Sequence, residues 1–202
     1  MSHLKFLVFF IVITALNASC DGDKCRSESP LREGISESIP YKNGTTVKFE
    51  TNEGETFSVT VARKEEILKN DLKNCEEYLE ILLSDPKSTY PFMESIQRGL
   101  SVDSMFQMSV SPRRRNGTGT IVQFALNNRQ ELIGLNHAVS NGLYQATRLP
   151  TLQIGTKTYK DVLKLDYTAP LNDDSVLQFL YNKEFGVLQV RTKSGYTVTQ
   201  IN

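Results

Sequence analysis

The chain has no tryptophan, few histidines and cysteines, and no net charge. Its 202 residues include two His and three Cys, and 23 basic residues balance 23 acidic ones. Without a basic excess, the surface is not suited to neutralising phosphates, so we predict no nucleic-acid partner. The one dense basic run, residues 113–115, lies between turn-forming residues and is interpreted as a solvated loop. The length suits a single buried domain.

The scarcity of histidine and cysteine limits the chemistry that the sequence can support. His3 lies in the predicted export signal, residues 1–19, so only His137 could serve a triad or a zinc site, and no G-x-S-x-G elbow accompanies it. Asp173 and Asp174 lack the spacing of a calcium loop, and no glycine-rich phosphate loop is present. We therefore predict no catalytic residues, no metal site and no cofactor. A hydrolase built around His137 is the weakest alternative.

A long apolar run occurs only at the N-terminus. Lys5 precedes apolar residues 6–16, and no comparable run follows later in the chain. A run of this length is too short to cross about 30 Å of hydrocarbon comfortably. The pattern predicts a cleavable export signal over residues 1–19 and no membrane span in the mature protein.

The end of this signal is similar to a bacterial lipobox. Ala18 and Ser19 lead into Cys20, although Asn17 stands where an aliphatic residue is usual. The resemblance implies that Cys20 is the lipidated first residue and that the protein is anchored in the cell envelope, on the periplasmic or surface-exposed side. The acidic residues directly after the cysteine resemble the surface-sorting signals of some Bacteroidetes lipoproteins.

The next segment, residues 20–38, is rich in charged and small polar residues and is predicted to be a flexible tether. If Cys20 carries lipid, Cys25 and Cys75 remain as a pair. A disulfide between them would close a loop of about 50 residues and stabilise the fold by about 4 kcal/mol at most. The alternative is a free thiol at Cys25 and a small buried side chain at Cys75.

The remainder, residues 39–202, is predicted to be one β domain. Val47 and Phe49 alternate with polar residues, as do Phe57 and Val59 after the turn at 52–54, which predicts a hairpin. The same period predicts strands at 106–110, 122–126, 132–135, 151–154, 159–167, 176–181, 186–192 and 196–201. We expect an all-β, mostly antiparallel fold, as a curved sheet, half-barrel or sandwich, with at most one or two short helices.

One segment fits two periods. The apolar residues of 68–82 recur at spacings of four and three, which is typical of a helix, whereas Leu79, Ile81 and Leu83 also fit a strand. We expect a short helix or irregular piece before Cys75 and a strand from about Tyr78 to Ser84.

The last third of the chain resembles small flavobacterial-type lipoproteins of unknown function. The likeness rests on Gly155, Tyr159, Val162 and Leu165, and on the sequence YNKEFG at residues 181–186. It implies an antiparallel β fold and an envelope location, but no reaction. Gly186 is expected to supply a permissive dihedral between two strands. Residues 183–185 are interpreted as an exposed turn, with a recognition loop as the alternative.

The leading hypothesis is a non-enzymatic, lipid-anchored envelope protein that binds a partner protein or serves a structural role, with the membrane as its other partner. A second hypothesis is a carrier or sensor of lipid-like hydrophobic ligands held in a half-open sheet. The sequons at Asn43 and Asn116 leave open a secreted eukaryotic glycoprotein.

Overall fold

The computed structural model describes residues 39–69, 75–85, 87–88, 92–99, 105–112, 120–126, 132–134, 138–139, 142–168 and 175–201. Over these residues the fold is all-β without a helix, and thirteen strands form one antiparallel sheet that curls into a half-barrel, which confirms the predicted fold class. The strands are β1 (Thr46–Thr51), β2 (Thr56–Lys69), β3 (Cys75–Ser84), β4 (Met93–Gly99), β5 (Met105–Val110), β6 (Thr120–Leu126), β7 (Leu132–Gly134), β8 (Ala138–Val139), β9 (Gly142–Ile154), β10 (Lys157–Tyr167), β11 (Val176–Asn182), β12 (Gly186–Thr192) and β13 (Thr197–Gln200).

The first hairpin shows how alternation in the sequence becomes a face of the sheet. In β1 every second side chain is buried, and Phe49 lies opposite Phe57 of β2. Gly54 in the connecting turn has φ +82°, a left-handed conformation that glycine adopts without a steric penalty. The predicted hairpin and turn are confirmed.

The strand order joins two meanders through the first and last strands. In the first meander, β1 to β7, each strand pairs with the next one along the chain, and the same holds for the second meander, β8 to β13. The pairing of β1 with β13 joins the two meanders. The β1–β13 ladder aligns Phe49 with Gln200 and Thr51 with Val198. The two ends of the described domain are therefore neighbours in the middle of the sheet.

Chain connectivity explains why the sheet curls. Thirteen strands laid flat would span about 58 Å from edge to edge at about 4.8 Å per strand. The two edge strands, β7 and β8, are joined by residues 135–137, which can reach only about 14 Å. The edges must therefore be drawn together, and Cα atoms of β7 indeed come within 8 Å of Cα atoms in both β9 and β10.

The main core fills the inner face of this curl. Phe49, Phe57 and Phe92 pack as a group, with the Phe49 and Phe92 ring centroids 4.6 Å apart. Phe179 and Tyr181 of β11 belong to the same buried cluster, so both meanders contribute to one core.

Of the helical or irregular piece expected before Cys75, residues 68–69 belong instead to a strand, and residues 70–74 lie outside the described residues. Strand β2 extends to Lys69, and β3 already begins at Cys75. The apolar spacing of four and three arises because the segment contains parts of two strands with a connection between them. The predicted strand at 78–84 is confirmed, with an earlier start. Strands β4 and β8 and the first part of β9 were not predicted.

Candidate interaction surface

The chain enters the described domain through a short buried strap, residues 39–41. Ile39 and Tyr41 are 2% and 3% exposed. The Arg63 guanidinium on β2 donates from Nη1 to the carbonyl oxygens of Ile39 and Tyr41, at 3.2 and 3.1 Å. These two bonds give the carbonyls of a segment without secondary structure a hydrogen-bond donor and hold that segment against β2.

Tyr41 fastens the strap to the first residues of β12. Its Oη accepts a hydrogen bond of 2.7 Å from the backbone N–H of Val187. Gly186 has φ +83°, as expected from its position between two strands, and a Cβ there would lie 2.9 Å from Cε1 of Tyr41 and nearer still to Cζ and Oη. Burial raises the pKa of Tyr41 far above its usual range, although the Val187 hydrogen bond opposes the shift. The phenol is therefore neutral at physiological pH.

Asn182 shapes the turn between β11 and β12. Its Oδ1 accepts hydrogen bonds from the backbone N–H groups of Glu184 and Phe185, at 2.7 and 3.1 Å, which is an Asx-type turn. Lys183 and Glu184 are exposed, as predicted. Phe185 is 40% exposed, and its ring meets that of Tyr159 edge to face at a centroid distance of 5.4 Å. The turn therefore presents an aromatic side chain in a fixed position.

A second apolar cluster lies outside the main core. It consists of Tyr159, Val162, Leu180 and Leu188. Strict alternation would put Tyr159 and Val162 on opposite faces of β10, but Asp161 between them has φ +57°, which breaks the alternation. In the β11–β12 pairing Leu180 lies opposite Gln189 and Tyr181 opposite Val187, so Leu188 is an extra residue on β12. Leu188 belongs to the second cluster, whereas Val187 and Val190 belong to the main core.

The tip of the β9–β10 hairpin packs against this second cluster. Residues 157–161 of β10 precede its first pairing with β11, at Val162 and Asn182. Half-buried Leu149, Leu152 and Ile154 of β9 contact the cluster. Asp161 binds Arg148 of β9 with both carboxylate oxygens. The kink at Asp161 thus lets an overhanging hairpin pack against the sheet.

The last described residue, Ile201, lies at the same end of the sheet. Its N–H donates to the Lys48 carbonyl, and its side chain is 38% exposed. With its nitrogen turned toward them, the Gln200 amide donates to the carbonyls of Phe185 and Val187, at 3.1 and 2.8 Å. The strap, the 183–185 turn, the β9–β10 tip and Ile201 therefore meet at one end, which we call the strap end.

Most of the residues considered above for lipidation, a disulfide or chemistry lie outside the described residues. Cys20, Cys25 and His137 lie outside the described residues, as do Asp173, Asp174 and the basic run at 113–115. Cys75 is the first residue of β3, and its side chain is not among those described. Asn43 is described, and its Oδ1 accepts a hydrogen bond of 3.0 Å from the Arg63 backbone N–H, so this Asn-Gly pair forms a turn beside β2.

The described ranges contain no group of three or more His, Cys, Asp and Glu side chains that could hold a metal ion. Nor do they contain a helix of the length and apolarity needed to cross a bilayer. Comparison with known proteins finds no family model, curated protein or solved structure that matches this chain. The strap end is accordingly characterised by its own geometry alone.

Two features of the sequence point to this surface but are not found by searching for alternating apolar residues. Ile39 and Tyr41 are apolar residues directly after a polar stretch, which is typical of a segment that docks. Adjacent apolar residues, as at Val162 with Leu163 and Val187 with Leu188, are typical of strands buried on both faces. Together these features could have predicted the strap and the second cluster.

Proposed function

We propose that this chain is an exported, lipid-anchored cell-envelope protein that acts as a non-enzymatic binding or structural module. On this proposal residues 1–19 are a removed signal, Cys20 carries the lipid, and residues 20–38 are a spacer. The resemblance of the last third to flavobacterial-type lipoproteins is part of the same proposal.

The observation that favours this function is the strap. A domain that is anchored through its N-terminal side needs the residues at the start of the domain to resist removal from the fold. Ile39 and Tyr41 are buried, Arg63 binds both of their carbonyls, and Tyr41 accepts a hydrogen bond from Val187 of β12. A pull on the chain before residue 39 is therefore opposed by contacts with both meanders.

The packing of the inner face favours a binding module over a carrier. Phe49, Phe92, Phe179 and Tyr181 have no exposed surface. A side chain that lines a cavity for a lipid-like ligand would be accessible to solvent in the empty protein. These four side chains therefore belong to a packed core and do not line a ligand cavity. Binding by the described part of the domain is then expected at the outer surface.

Metabolic labelling with an alkyne palmitate in a Gram-negative host tests the anchor. We expect label in the wild-type chain and in Cys25→Ser, and none in Cys20→Ser. Label that persists in Cys20→Ser, or a wild-type protein that stays unlabelled in the cytosol, would refute the proposal.

Mass spectrometry separates the remaining alternatives. An intact mass two hydrogens below that of the reduced chain is expected if Cys25 and Cys75 pair. Native mass spectrometry is expected to show the mature protein without a bound lipid besides its own anchor. A stoichiometric co-purifying lipid would favour the carrier, and a glycan at Asn43 would favour the secreted glycoprotein.

A further inference from the structure

We propose that the strap end is a bilayer-contacting surface, in which Phe185 and Ile201 enter the lipid interface and the neighbouring lysines contact anionic headgroups. This inference rests on the proposed lipid anchor and adds to it the part of the domain that faces the membrane.

The first argument is the position of the exposed apolar side chains. Among the residues whose side-chain burial the structure describes, Phe185 and Ile201 are the large hydrophobic residues with more than a third of their surface exposed. Gln200 links their two segments through its hydrogen bonds to the Phe185 and Val187 carbonyls. Half-buried Ile154, at the β9–β10 tip, extends the same apolar surface through the second cluster. Within that described set, the large exposed apolar side chains therefore lie together at the strap end.

The second argument is charge. Lys157, Lys160 and Lys183 are exposed around this apolar surface, whereas Glu184 is the exposed carboxylate beside them, and Asp161 is bound to Arg148. Lysines beside aromatic and aliphatic side chains suit an interface of anionic headgroups over acyl chains. The opposite end of the sheet differs, because the turn between β1 and β2 carries exposed Glu53 and Glu55, beside a single exposed lysine, Lys193, in the neighbouring β12–β13 turn.

The third argument is the length of chain between the lipid and this surface. The spacer of residues 20–38 joins the proposed anchor at Cys20 to the strap, and the strap contacts Val187, two residues from Phe185. A flexible chain of 19 residues has an end-to-end distance of about 24 Å. The surface is thus kept close to the bilayer at a high effective concentration, so that even weak lipid contacts become populated.

Because the anchor would hold every variant on the membrane, the test must measure depth and not binding. The chain has no tryptophan, so a single introduced tryptophan is a unique fluorophore. Full-length protein carrying Phe185→Trp or Ile201→Trp is reconstituted in phosphatidylcholine–phosphatidylglycerol vesicles with brominated acyl chains. Glu53→Trp, at the opposite end, is the matched control.

We expect emission from Phe185→Trp and Ile201→Trp to shift to shorter wavelength and to lose more than half of its intensity to the brominated lipid. Glu53→Trp should keep a water-like emission. Adding Lys183→Glu to Phe185→Trp should reduce the quenching, and high salt should do the same, because both weaken the attraction to the headgroups. Thermal unfolding checks that each variant is folded.

The outcomes distinguish the surface from the anchor. Palmitate in the protein together with unquenched tryptophan at both positions overturns the surface and leaves the anchor standing. Absence of palmitate overturns both. A shift of Phe185→Trp emission without vesicles, accompanied by sedimentation as a dimer, would assign the surface to a second copy of the chain and would equally overturn the lipid contact.

Discussion

Replacing Gly186 with alanine tests the contact that holds the strap to the second meander. The new Cβ would lie 2.9 Å from Cε1 of Tyr41 and closer to Cζ and Oη, so the tyrosine ring must move. Moving it separates Oη from the Val187 N–H, a buried donor whose loss of a partner costs about 1–3 kcal/mol. The left-handed conformation at φ +83° adds about 1–2 kcal/mol for any residue with a Cβ. We expect Gly186→Ala to lower the free energy of unfolding by about 3 kcal/mol or more.

Gly195→Ala is the matched control. Gly195 has nearly the same dihedral, φ +85°, but a Cβ there would meet nothing within 4 Å. Its cost should therefore be the conformational strain alone, about 1–2 kcal/mol. Both changes reduce the entropy of the unfolded chain equally, so the difference between the two variants measures the clash with Tyr41.

Urea unfolding at equilibrium, followed by circular dichroism, supplies the measurement. The midpoint should fall much further for Gly186→Ala than for Gly195→Ala at an unchanged m-value. In a Tyr41→Leu background, Gly186→Ala should cost no more than the control, because the obstructing ring is gone. Equal losses in the two single variants, or no coupling to Tyr41, would refute the reasoning.

Three further predictions concern the core, the kink and pH. Phe92→Ala should lower the free energy of unfolding by about 3–5 kcal/mol, because Phe92 is fully buried. Phe185→Ala, at an exposed position, should lower it by about 1 kcal/mol or less. Similar losses in urea unfolding of the two variants would contradict the packing described. Asp161→Val should lower the free energy of unfolding by about 1–2 kcal/mol, because a β-branched residue is strained at the left-handed φ of position 161. Asp161→Asn should leave it nearly unchanged, because asparagine tolerates that conformation. The reverse order of the two losses would contradict the left-handed backbone. Burial raises the pKa of Tyr41 and Tyr181 in the folded protein, so the unfolded state loses these two protons first as the pH rises. The free energy of unfolding should therefore be constant below about pH 10. Above it, the free energy of unfolding should fall by about 1.4 kcal/mol per pH unit for each tyrosine. A titration of unfolding free energy from pH 8 to 11 checks the sign, since Tyr41→Phe should fall less steeply than the wild type.

Alternation of apolar and polar residues predicted the strands that bury only one of their two faces. In β1 the apolar residues occupy every second position, and Phe49 of that strand is fully buried. Strand β4 escaped prediction because Met93 and Ile96 are three residues apart and do not mark a face. Strand β9 was predicted only after Pro150, because proline lacks the N–H that a sheet ladder uses and argues against a strand. Pro150 falls at the break in the β9–β10 register, between the Leu149–Val162 and Thr151–Lys160 pairs, and proline is tolerated at such an irregularity.

Sequence features mark the strap and the second cluster separately, but local patterns do not predict that the strap docks against β12. Tyr41 and Val187 are 146 residues apart, and their hydrogen bond depends on the pairing of β1 with β13, which local patterns do not specify. Gly186 was expected to need its dihedral, but the close approach of Tyr41 gives the glycine a second reason. The second cluster depends on irregularities at Asp161 and Leu188, and these change which face a side chain joins.

The junction between the two meanders shows how a short ladder can hold a large sheet together. The described register of β1 with β13 contains only three residue pairs. Beyond one end of it, the Asn52 side chain donates to the Gly195 carbonyl and accepts from the Thr197 N–H, both at 3.0 Å. Beyond the other end, Tyr41 accepts from Val187. Backbone hydrogen bonds from Asn52 to Thr197 and from Ile201 to Lys48 lie at the same two ends. The connection between the two meanders therefore reaches beyond the three-pair register in both directions, and the shared core adds to it.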